Sequence, residues 1–145
     1  MINARIDTTT GLDGEPVVLA CFDVDGAEVS ALAHAVKAVC SERFRTVEMS
    51  VDDVLELREL TALSDELSGL VALEDGLRTV VMRPARLTAC RDALATFVES
   101  RDEAEWLREE DREPLARIRP LLPALEDLCA DALRAVFEAR SPLSG

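Results

Sequence analysis

The sequence predicts a small protein between α/β and α+β in class. A mixed sheet of three to four strands would combine an N-terminal hairpin with βα units, carrying three helices and a C-terminal helical pair. Three observations predict it. Apolar and polar residues alternate with the period of a strand near the start of the chain. Stripes with the period of a helix follow each such stretch. A strand–helix pattern also recurs, opening Arg-Thr-Val at Arg45 and again at Arg78, a spacing of 33 residues. The 145 residues are enough for one core and one domain, 1–145. Within it, 1–98 reads as a β-β-α-β-α-β-α core, 99–119 as an acidic helical segment and 120–140 as a C-terminal helix.

Taken in order, Ile2, Ala4 and Ile6 alternate with Asn3, Arg5 and Asp7. A turn with two glycines follows, and Pro16 opens a second strand through Phe22 and Val24. The two strands form a hairpin. From Asp25 the period changes, and Val29, Leu32, Ala33, Val36, Val39 and Cys40 make one helical stripe. Asp25 with Glu28 has the form of a capping box. Thr46 to Ser50 reads as a strand, with Val47 and Met49 on one side, and Ser50 with Asp53 again looks like a helix start. The next helix carries Leu57, Leu60, Leu63, Leu67, Leu70 and Val71 to about Leu73, with Gly76 as its stop signal. Leu77 to Met82 repeats the strand, and Pro84 opens the helix of Leu87, Cys90, Leu94, Phe97 and Val98. Parallel pairing through crossovers is expected between successive strand–helix units.

Glu99 to Glu113 differs, with eight acids and three arginines around Trp106 and Leu107. Pro114, Pro120 and Pro123 would break a regular helix, so the last helix is expected to begin near Pro120. Its apolar residues run from Leu121 to Phe137.

Composition narrows the function. The net charge is -13, which argues against nucleic acid, whose binders carry a basic footprint. No apolar run approaches the ~18 residues of a membrane span, and no signal peptide is expected at the start. Cys21, Cys40, Cys90 and Cys129 sit among apolar residues with no C-x-x-C spacing. Buried free thiols in a reduced, cytoplasmic setting are expected, and no zinc site, since His34 is the one histidine.

Three groups of residues invite a functional reading. Phe22-Asp-Val-Asp-Gly26 resembles the first motif of haloacid-dehalogenase-type phosphatases, an apolar strand ending in D-x-D-G-T. The resemblance implies a small magnesium-dependent phosphohydrolase, with Asp23 as nucleophile and Asp25 as acid/base. Ala27 stands where the motif has Thr. Read from the residues alone, Asp25 is an N-cap and Asp23 a solvent-facing strand residue. Next, Arg78, Arg83, Arg86 and Arg91 form an acid-free island, with Arg83 and Arg86 at a helix start. They would either hold an anion or pair with Asp52 and Asp53. Finally, Trp106 with Leu107 would either anchor the acidic segment to the core or contact a partner.

No other motif implies catalysis, a cofactor or a metal. The function expected is that of an acidic, non-catalytic protein-interaction or regulatory module. The last helix has an apolar face wide for one sheet, and Leu55 and Leu73 lie off the main stripe of their helix. A homodimer is therefore expected, its interface on the last helix or on the helix from Val51 to Leu73.

Overall fold

The structure, a computed structural model, describes residues 1–45, 48–72 and 76–140. The order is β1 (Ile2–Thr10), β2 (Pro16–Val24), α1 (Gly26–Phe44), α2 (Val51–Val71), β3 (Arg78–Met82), α3 (Pro84–Asp102) and α4 (Glu109–Arg140). This is an α+β fold, a three-stranded sheet ordered β1-β2-β3 with four helices.

The hairpin is as expected. Gly11 N–H donates to the Glu15 carbonyl at 2.8 Å, and Gly14 takes φ 83°, where a side chain would be strained. On β2, Val18, Ala20, Phe22 and Val24 are buried, and on β3 Arg78, Val80 and Met82. That inner face meets α3 and α4.

Two expectations about the sheet are corrected. Of the strand expected at Thr46–Ser50, Thr46 and Val47 lie outside the described residues, and Glu48 to Ser50 are not in a strand. β2 already has β1 on one edge and β3 on the other, so no further strand could join it. The pairing is also antiparallel throughout, not mixed. Two helices in succession separate β2 from β3 and return the chain against β2. A single crossover helix would have delivered it parallel.

Local start signals hold. Asp25 caps α1, accepting from Glu28 N–H at 2.7 Å while its own N–H donates to Glu28 Oε1 at 3.1 Å. Ser50 and Asp53 make the same reciprocal pair at α2. Pro84 occupies the first turn of α3. Gly76 does not cap α2, which ends at Val71 with Ala72 as its cap. It lies at φ 115° just ahead of β3.

The C-terminal pair is one helix. α4 runs through Pro114, Pro120 and Pro123, against the expectation of a start near Pro120. Each proline deprives the carbonyl four residues earlier of its donor. Those carbonyls belong to Glu110, Ala116 and Arg119, all exposed, where water can replace the lost bond. The opposite face of α4 buries Leu115, Ile118, Leu121, Leu125, Leu128 and Ala132 against α1, α3 and the sheet.

All four cysteines are free and buried. Loss of solvation raises every one of these thiols, Cys90 to about 12, which disfavours the reactive thiolate. No described helix is long and apolar enough to cross a membrane.

Candidate functional site

Asp23 and Asp25 have different partners. Asp25 is occupied in the α1 cap. Asp23 lies on the outer sheet face, where it accepts from Thr79 Oγ1 at 2.6 Å and from Asn3 Nδ2 at 2.9 Å. These bonds, Thr79 first, hold its carboxyl below the ordinary range. Among the described residues no three His, Cys, Asp or Glu side chains gather as a metal site.

The arginine island disperses. Arg78 is buried, donating to the Leu70 carbonyl at 2.8 Å and the Gly76 carbonyl at 2.9 Å. Arg86 turns to α2 and pairs with Glu59 at 3.0 Å and Glu66 at 2.9 Å, not with Asp52 and Asp53 as expected. The Glu59 hydrogen bond in particular raises its pKa. Arg91 meets its neighbour Asp92, and Arg83 is exposed beside Pro16 and Val136. The helix start therefore does not bring Arg83 and Arg86 together.

Trp106 is not an anchor. It is 86 % exposed in the connector between α3 and α4, while Leu107 packs against the core. Compared with known proteins, the chain matches no family model, no curated protein and no solved structure.

Two regions stand out. The first is a buried polar junction. Asp111, in the first turn of α4, is 4 % exposed. It meets His34 Nε2 of α1 at 2.7 Å and accepts from Arg101 Nε of α3 at 3.2 Å. Arg101 also donates to Glu42 at 2.8 Å and covers the Phe97 ring at 4.5 Å. His34 meets that ring edge-on. Burial alone would raise the Asp111 pKa, but His34 and Arg101 more than offset it and hold the carboxyl below its ordinary value. An ionised Asp111 can only accept, so Nε2 of His34 carries the proton. The junction ties three helices together under a cleft of about 340 Å³ with Trp106 in its wall. The sequence held a signal for it: Asp111, Ile118, Leu125 and Ala132 are spaced by seven, all on the buried stripe.

The second region is an apolar groove between α2 and α3, of about 1070 Å³. Its lining includes Phe44, Met49, Val54, Leu55 and Ala62. Leu55 lies off the buried stripe, as expected. Leu73, expected beside it, falls outside the described residues.

Proposed function

We propose that the protein is a non-catalytic interaction module that self-associates as a twofold homodimer through the end of α4. One observation carries this reading: large apolar side chains are exposed in clusters on helix faces. Phe44, Met49, Val51, Val54 and Leu55 fall within twelve residues, and Leu133 and Phe137 are 60 % and 71 % exposed one turn apart on α4. Contiguous exposed apolar patches on a small protein mark interaction surfaces. On α4 the buried stripe reaches Ala132, and the apolar pattern then continues beyond the edge of the core. A second α4 crossing the first about a twofold axis would cover Leu133 and Phe137 in both chains.

Trp106 offers a further exposed contact for a partner, and the four free thiols favour a reducing, cytoplasmic setting. The magnesium-dependent alternative has less support, because Asp25 is engaged in the α1 cap. The test is molar mass in solution by light scattering. The wild type is expected to weigh two chains and a Leu133→Gln/Phe137→Gln variant one.

A further inference from the structure

We infer that two α4 helices associate antiparallel, with Leu133 at the twofold axis and Glu126 of each chain paired with Arg140 of the other. The inference rests on the α4 reading above and names what recognises the second copy. Glu126, Leu133 and Arg140 are all exposed and are spaced by seven. Two heptads drift by only about 40° around a straight helix, so the three share one strip. Ala130 and Phe137, three residues before Leu133 and four after it, lie beside it on the same face. The buried Leu125 and Ala132 each sit one position earlier, so the strip borders the core without belonging to it.

The charges at the two ends of the strip are not used within the chain. Among the described residues Glu126 and Arg140 enter no ion pair. Arg91, the cation whose field reaches Glu126, holds Asp92 at 2.9 Å. Between its ends the strip carries no charge at all.

This pattern complements itself in one orientation. Antiparallel about Leu133, position 126 falls opposite 140 of the other chain, twice over by symmetry. Phe137 then falls opposite Cys129 beside Ala130, where the side chains are small enough to receive a ring. A parallel pair instead sets Glu126 against Glu126 and Arg140 against Arg140, repulsive at both ends. Exposed ion pairs add little affinity, but like-charge juxtaposition rejects the wrong orientation. The apolar centre therefore holds the two copies, and the ends set their direction.

The test is the dimer Kd of the full chain, from light scattering over a dilution series at one salt concentration. Glu126→Arg and Arg140→Glu each turn two attractive contacts into repulsive ones, and each is expected to weaken dimerisation about tenfold. The first sign is diagnostic: Glu126→Arg makes the chain less acidic, so general charge repulsion would tighten the dimer. The double variant Glu126→Arg/Arg140→Glu is expected to return close to the wild-type Kd. Mixing the two single variants is expected to restore a two-chain mass, because each then supplies the charge that the other lacks. A wild type of one-chain mass overturns the α4 reading and this inference together. A dimer lost in Leu133→Gln/Phe137→Gln, yet unchanged or tightened by Glu126→Arg, overturns the inference alone.

Discussion

The Asp111 junction and the α2–α3 groove break the usual partition of residues in opposite directions. At the junction, charge is buried: Asp111 occupies a position on the apolar stripe of α4 and is 4 % exposed. At the groove, apolar surface is exposed on the most acidic helix of the core. The first exception is resolved within the chain, because His34 and Arg101 supply the hydrogen bonds that a buried carboxylate requires. The second is not resolved by the described residues. A misplaced polar group that finds its partner inside the fold is architecture, whereas an apolar cluster left open is the kind of feature on which the proposed association rests.

The sharpest break in that comparison is expected on α2 itself. Leu60 is fully buried and Leu55 about half exposed. Leu60→Ala is expected to cost about 3 kcal/mol of unfolding free energy, and Leu55→Ala less than about 0.5 kcal/mol, as measured by urea denaturation. Equal costs would mean that Leu55 is packed within the monomer and that the groove is closed.

At the junction, Asp111→Ala is expected to cost about 2–3 kcal/mol, because it leaves His34 and Arg101 without their shared acceptor. Its pH dependence has a definite sign. The carboxyl is lowered in the folded state, so its contribution is complete above the ordinary value of 3.8 and fades as pH falls through the lowered one. The gap between wild type and Asp111→Ala should therefore narrow in acid. A gap independent of pH would show that packing, not the ionised carboxylate, sets the effect.

A smaller contrast separates the two aspartates of the Phe22–Gly26 segment. Asp25→Ala removes the α1 cap and should cost about 1 kcal/mol, with Asp25→Ser largely restoring it. Asp23→Asn, on the open face of the sheet, should leave the melting temperature nearly unchanged. Magnesium-dependent phosphatase activity that disappears in Asp23→Asn would revive the catalytic alternative.

What was legible in the sequence was mostly local. The capping pairs Asp25–Glu28 and Ser50–Asp53, and Pro84 at the start of α3, act over three or four residues and read directly. Strand direction was not legible. Val47 and Met49 alternate as in a strand, yet of the described residues there Glu48 to Ser50 are not in one, and Ser50 serves instead as the cap of α2. The three prolines misled because their effect depends on which face of α4 they occupy. For Trp106 the sequence left open an anchor or a partner contact, and the connector holds it 86 % exposed, outside the core. Asp111 was concealed among seven other acids between Glu99 and Glu113, although its spacing of seven from Ile118 already placed it on the apolar face. The groove was visible only in outline, through Leu55, since α3, which forms its other wall, starts about thirty residues further along the chain.

The most direct test of the central claim, that exposed apolar helix faces serve association, is light scattering coupled to size exclusion across protein concentration and salt. The account predicts twice the chain mass at micromolar concentration. Association should strengthen with salt as the -13 charges are screened, and be lost in Leu133→Gln/Phe137→Gln. A single-chain mass at high concentration and moderate salt would contradict the dimer.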